Sequence, residues 1–325
     1  MARADLLLNL VVAGSKGDAQ LFRRTVEALI AEERSKQHHV LADRLAESLK
    51  SLTSSREASG FLNEGTRNLL YEIVPKKDLD DLILPENVRN ACVELIEEQH
   101  RCDLLRSYNL EPRHRVILVG PPGNGKTSLA EALAGALMVP MYIVRYEGIV
   151  GSYLGETANR LKRLFEFVRT QRCVLFFDEF DAIGKERGDK HETGEIKRVV
   201  SSLLLQIDDL PSHVVVVTAT NHPELLDKAV WRRFQLRLFL PKPEKPQIEA
   251  WLERFRASFD RPLGHSVRTI AEKLYGLSFS EIEEFGLDVR RRYVLSLPDS
   301  DLKSIVRSCL KQWEGRFKAE GEGEK

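Results

Sequence analysis

The eight residues Gly120-Pro121-Pro122-Gly123-Asn124-Gly125-Lys126-Thr127 fit the spacing G-x-x-x-x-G-K-[ST]. Glycines carry no Cβ, so successive backbone N–H groups of such a loop can turn inward around an anion. The group suited to that cradle is a phosphate chain lying along Pro122, Gly123, Asn124 and Gly125. Lys126 would reach the β- and γ-phosphates, and the Thr127 hydroxyl would ligate Mg²⁺. A helix predicted over Ser128–Leu137 starts where the loop ends, and the positive end of its dipole lies near Ser128. A glycine turn that binds nothing has the same composition. The apolar run before the loop and the helix after it favour the phosphate reading.

A second group completes the chemistry. Cys173-Val174-Leu175-Phe176-Phe177 is an apolar run that ends in two adjacent carboxylates, Asp178 and Glu179. A buried strand has no packing reason to end that way unless a cation or a water meets the carboxylates, although a solvated Asp-Glu turn is the plain alternative. At the end of a central strand they lie beside the phosphate loop. There Asp178 would hold Mg²⁺, largely through water, and Glu179 would act as general base on the attacking water. The ligand implied is ATP with Mg²⁺.

The elements that must position these residues are legible as a rhythm. Arg115–Val119, Met141–Val144, Cys173–Phe177, Val214–Thr218 and Leu236–Leu240 are short apolar runs separated by helical patterns. Runs that are apolar throughout suit a parallel sheet buried on both faces. Alternation with helices, including one over Pro85–Ser107, predicts an α/β fold with a doubly wound parallel sheet. Pro241, Pro243 and Pro246 end this domain, and Gln247 to about Phe317 reads as a helical lid. Before it, Asp18 caps a helix with Leu21, Phe22, Val26, Leu29 and Ile30 on one face, and Val40, Leu41, Leu45 and Leu49 mark another. Ser51–Ser55 and Ser59-Gly60 read as a joint. The predicted organisation is therefore a helical segment and linker over 1–75, a nucleotide-binding α/β domain over 76–245, a helical lid over 246–318 and a disordered tail over 319–325.

Composition narrows the partners. The 325 residues hold 49 basic and 49 acidic side chains, mixed along the chain, which argues against a dedicated nucleic-acid surface. The four cysteines are scattered without metal-ligand spacing and read as reduced. His38-His39 point about 100° apart on a helix and read as surface or packing residues. The run Leu6–Val12 is interrupted by Asn9 and is too short for a signal core, and no run is long enough to span a membrane. The expectation is a cytoplasmic protein.

From about Asp78 to about Leu297 the chain resembles the AAA family of ATPases, on the two motifs above and four further segments. The resemblance implies roles for each. In Thr218-Ala219-Thr220-Asn221-His222-Pro223-Glu224, Asn221 would contact the γ-phosphate or the attacking water. In Ala229-Val230-Trp231-Arg232-Arg233-Phe234, Arg232 or Arg233 would reach a neighbouring subunit's site as an arginine finger. Trp231 departs from the usual pattern and leaves the choice between them open. Gly276–Ile282 resembles the turn that opens the lid helix, with no sensor arginine at its start; Arg290, Arg291 and Arg292 further along read mainly as a solvated helix face. Asp80–Pro85 resembles the segment whose backbone holds adenine.

Tyr153-Leu154-Gly155 stands where AAA rings carry an aromatic loop facing the pore, with a helix expected from Glu156. An aromatic ring grips chains of any sequence by area, and a glycine lets the loop travel; local packing of Tyr153 is the alternative. Gly188–Gly194 reads as a mobile loop. The resemblance thus implies a homo-oligomer, a hexamer with ATP, that remodels or threads a protein substrate. Two other readings remain: a regulatory switch acting on a separately encoded effector such as a protease, and a nucleic-acid motor, which the neutral charge disfavours.

Overall fold

The computed structural model describes residues 25, 26, 28–30, 69–146, 154–181, 193–297 and 301–322. Two compact units, Met1–Arg67 and Asn68–Lys325, make up the chain. In the first, residues 25, 26 and 28–30 are helical, with Val26 and Ile30 buried at the spacing of one helix turn. The remaining expectations for that segment, the joint at Ser51–Gly60 and His38-His39 among them, lie outside the described residues. So do Tyr153 and the loop at Gly188–Glu192.

The second unit is built on a six-stranded sheet in the order β1-β3-β4-β5-β2-β6. Its strands are β1 (Leu70–Ile73), β2 (Arg115–Val119), β3 (Met141–Val144), β4 (Cys173–Phe177), β5 (Val214–Thr220) and β6 (Leu236–Phe239). Strands β2 to β6 pair in parallel, as the apolar runs predict. The sheet is buried on both faces. Ile117, Val119, Leu175, Phe177, Val214 and Val216 point into one core, and Val116, Leu118, Val174, Phe176, Val215 and Val217 into the other. Helices α4 (Leu154–Arg169) and α5 (Thr193–Asp208) cover the first face, α1 (Glu86–His100) and α3 (Lys126–Ala136) the second. Each large aliphatic side chain taken from water there contributes about 1.5–3 kcal/mol before entropy is subtracted.

Strand β1 corrects the sequence reading, which left Leu70–Ile73 in the N-terminal helical segment. It pairs antiparallel with β3 at the sheet edge, Leu70 opposite Val144 and Ile73 opposite Met141. An edge strand buries one side only, here Leu70 with Tyr71 exposed, so four residues show no periodicity without their partner. The helix expected over Pro85–Ser107 is two, α1 and α2 (Cys102–Ser107), with the chain leaving helical geometry at Arg101. Helix α4 opens at Leu154 rather than near Glu156.

Four helices follow the short α6 (Lys228–Arg233) and form the lid: α7 (Lys245–Arg256), α8 (Val267–Leu274), α9 (Phe279–Leu295) and α10 (Leu302–Glu322). Their core gathers Leu252, Phe255, Ile270, Leu274, Phe285, Val306 and Trp313. Ser278 and Glu281 close a capping box at the start of α9, and Ser266 caps α8. The terminal helix runs through Glu322, past the point where the tail was expected, because Lys318, Ala319 and Glu320 are good helix formers and only Gly321 opposes them.

Candidate functional site

The chemistry-bearing residues converge at the carboxyl ends of the parallel strands. Gly120 follows β2 and receives no side chain for a steric reason: a Cβ there would lie 2.1 Å from the Leu240 carbonyl oxygen. Gly123 and Gly125 have φ of +74° and +82°, the left-handed region that favours glycine, and Gly125 forms the N-cap of α3. The loop is fastened to the lid. Ser280 N–H donates to the Gly123 carbonyl (2.9 Å), Phe279 N–H donates to Asn124 Oδ1 (3.3 Å), and Asn124 is buried.

Lys126 is buried with its ammonium on three oxygens: the carbonyls of Gly120 (2.7 Å) and Pro121 (3.0 Å), and Asn221 Oδ1 (2.6 Å). Burial pulls its pKa down, and the charges of Asp178 and Asp181 oppose that. Thr127 Oγ1 donates to Asp178 Oδ2 at 3.3 Å, so the hydroxyl and carboxylate expected to share a cation are already neighbours. Asp178 Oδ1 accepts the Glu179 N–H at 3.0 Å. Glu179 has φ +46°, a strained conformation for a residue with a Cβ, and its side chain is exposed. Phe180 N–H donating to Ala219 O and Thr220 Oγ1 donating to Asp181 tie this turn to β5. An ammonium, a loop with two glycines of left-handed φ, a hydroxyl and two carboxylates are groups whose chemistry fits a polyphosphate with a divalent cation.

A cavity of about 400 Å³ adjoins the loop, lined by Asp81, Leu82, Ile83 and Leu84 on one side and by Trp251, Arg254, Phe255, Phe279 and Arg290 of the lid on another. Arg254 donates to the carbonyls of Asp81 (2.8 Å) and Asp80 (3.1 Å). Arg290 is exposed, as a solvated helix face predicts, and it also lies over the Phe255 ring, bonds Ser258 Oγ and lines the cavity; Arg291 and Arg292 bond Asp288, Ser308 and Gln312. Trp251, Arg254 and Lys77, which donates to Ser128 Oγ at 2.7 Å, were not singled out from the sequence. For α9 a signal did exist: Phe279, Glu283, Gly286 and Arg290 recur at helical spacing on one stripe.

Helix α6 separates the two finger candidates. Arg233 Nε donates to Asp208 Oδ2 at 2.7 Å, and Arg115 donates to the other Asp208 oxygen at 2.6 Å. Arg232 is exposed, and no hydrogen bond or ion pair holds it among the described residues. Trp231 is partly buried against the core, with Arg237 over its ring. Leu154 and Gly155 lie at the opening of α4. Among the described residues no cluster of His, Cys, Asp or Glu forms a metal site of three or more ligands, and no helix is long and apolar enough to cross a membrane.

A doubly wound sheet with a phosphate loop and paired carboxylates at its carboxyl edge defines a nucleotide-hydrolysing class. The profile of the ATPase family associated with various cellular activities (AAA) matches residues 116–242. The chain is 36% identical over 291 residues to a protein of Sinorhizobium fredii named uncharacterized AAA family ATPase y4kL, covering 87% of each. It is 31% identical over 233 residues to a candidate 26S proteasome regulatory subunit homolog of Methanothermobacter marburgensis, with 71% of this chain and 62% of that one matched. Identity to a cell division cycle protein 48 homolog of Archaeoglobus fulgidus is 32% over 226 residues, which is 67% of this chain and 30% of the relative. The chain thus spans less than two thirds of the latter two. It belongs to the AAA family and is an ATPase.

Proposed function

We propose that the chain hydrolyses ATP at sites shared between subunits of a homo-oligomeric ring, a hexamer, and uses the cycle to remodel a protein substrate. The observation that carries this reading is that Lys126 meets Asn221 and Thr127 meets Asp178, two adjacent contacts that join three separate strand ends. Phosphates would lie on Pro122 to Lys126 with Ser128 at the helix start. Magnesium, held by Thr127 and Asp178, supplies neutralisation of phosphate charge when bound. Glu179 accepts a proton from the attacking water, and Asn221 orients that water or the terminal phosphate. Lys126 exchanges its carbonyl partners for phosphate oxygens, which compensate its buried charge better than uncharged carbonyls do.

Arg232 is the finger in this reading, because it is exposed on α6 while Arg233 is engaged by Asp208 within its own subunit. The proteasome-regulatory name of one relative supports a protein substrate, which Tyr153, Leu154 and Gly155 would grip from the pore. The even mixing of 49 basic and 49 acidic residues supports a site of action away from nucleic acid and membrane, and the four free cysteines support the reducing cytoplasm.

The test is ATP turnover per chain against protein concentration. The rate should rise with concentration, Glu179→Gln should bind ATP with turnover reduced at least about 100-fold, and Arg232→Ala should poison wild type on mixing. A flat rate with a fully active Arg232→Ala would rule out the shared site. Loss of substrate unfolding in Tyr153→Ala, with ATPase retained, separates threading from switching.

A further inference from the structure

Between β1 and α1 the chain crosses α3 in close contact. Lys76 N–H donates to Glu131 Oε1 at 3.1 Å, and a Cβ on Gly135 would lie 3.0 Å from the Lys77 carbonyl oxygen. These contacts fix the backbone from which the Lys77 side chain reaches the first turn of α3. Its ammonium donates to Ser128 Oγ at 2.7 Å and lies 3.7 Å from Glu131 Oε2. An ammonium can only donate, so the Ser128 oxygen accepts and the hydroxyl keeps its own proton for another partner. Among the described residues nothing accepts that proton. Ser128 lines the cavity of about 400 Å³ beside Asn124 and Gly125, whereas Lys126 and Thr127 do not. A spare donor thus stands where the cavity meets the end of the loop.

We propose that Lys77 is a positioning residue for nucleotide binding, holding the Ser128 hydroxyl so that its proton is donated to the α-phosphate. This rests on the reading of Gly120–Ser128 as the phosphate site. In that reading Lys126 and Thr127 serve the β- and γ-phosphates and the metal, so the phosphate left for the cavity end of the loop is the one next to the sugar. A serine rotor is free to turn, but its proton is repelled by an ammonium already seated on its oxygen. Lys77 therefore selects the rotamers that aim the proton away from itself, and its charge strengthens the hydroxyl as a donor to an anion. The α-phosphate is common to ATP and ADP, so this contact acts on both nucleotides alike. Groups at the terminal phosphate, such as Asn221 and Glu179, act on ATP alone.

The experiment measures equilibrium binding of ADP with magnesium to the full chain, beside KM and kcat for ATP. Lys77→Met keeps the length of the side chain and removes the ammonium. The expected result is a Kd for ADP and a KM for ATP both raised by about 5- to 20-fold, with plateau kcat within about 2-fold and the unfolding temperature without nucleotide unchanged. Lys77→Arg, which keeps the charge and the donors, should recover most of the loss. Adding Ser128→Ala to Lys77→Met should cost little more than Ser128→Ala by itself, because the two changes remove one contact. Wild-type ADP affinity in Lys77→Met overturns the proposal. So does a loss of affinity that follows a lowered unfolding temperature, which would make Lys77 a docking residue for its own segment. A loss confined to ATP would move the contact to the γ-phosphate and overturn it as well. Should Lys126→Ala bind ADP as tightly as wild type, the loop is not the phosphate site and the proposal falls with that reading, an outcome read from the Lys126 variant alone.

Discussion

Two neighbouring arginines with the same charge have different surroundings. Arg233 and Arg115 grip opposite oxygens of Asp208, and all three side chains are about a quarter exposed. Removing Arg233 leaves Asp208 half-compensated in a poorly solvated position, so Arg233→Ala should cost about 1–3 kcal/mol in urea unfolding. Arg232→Ala, at an exposed position, should stay within about 0.5 kcal/mol of wild type in the same measurement. A large stability loss in Arg232→Ala, or none in Arg233→Ala, would contradict this contrast. The Arg232-Arg233 pair was legible in the sequence as a pair and not as two roles. The distinction rests on Asp208, 25 residues away at the end of α5, which only the fold brings within 2.7 Å.

At the scale of elements, the glycine-rich loop Gly120–Thr127 is a strand-to-helix connection wedged against β6. Leu240 N–H donates to Val119 O at 2.7 Å, and the Leu240 carbonyl closes over Gly120. Gly120→Ala must move backbone rather than a flexible side chain, so it should lower stability by more than about 2 kcal/mol in thermal unfolding. Gly125→Ala offers the contrast. No atom lies within 4 Å of its Cβ position, and the cost is only that of a left-handed φ, about 1 kcal/mol. Equal losses for the two variants would contradict this account. Most of the elements were legible beforehand because a strand buried on both faces has to be apolar at every position. Strand β1 was not, because half of its stabilisation comes from pairing with β3.

Across the second unit, the C-terminal helices form one wall of the cavity beside the glycine-rich loop. Arg254 of α7 holds the carbonyls of Asp80 and Asp81, and α9 holds the phosphate loop through Phe279 and Ser280. Any change in lid angle must therefore alter the cavity and the loop together. Arg254→Ala removes two of these ties at a largely exposed site. It should raise KM for ATP by about 5- to 10-fold, with kcat and melting temperature little changed. A fall in kcat at constant KM would show instead that the lid acts on the chemical step.

What the sequence determined by itself is local. The glycine-rich loop, the carboxylate pair and the parallel strands are each specified by contiguous residues whose glycines, charges or unbroken apolar character have few other physical uses. The tertiary structure decided what depends on distance. It set which arginine is engaged by Asp208 and which residues of the C-terminal helices wall the cavity. Such facts follow from strand order, register and helix docking, and these arise from the summed packing of residues far apart in the chain.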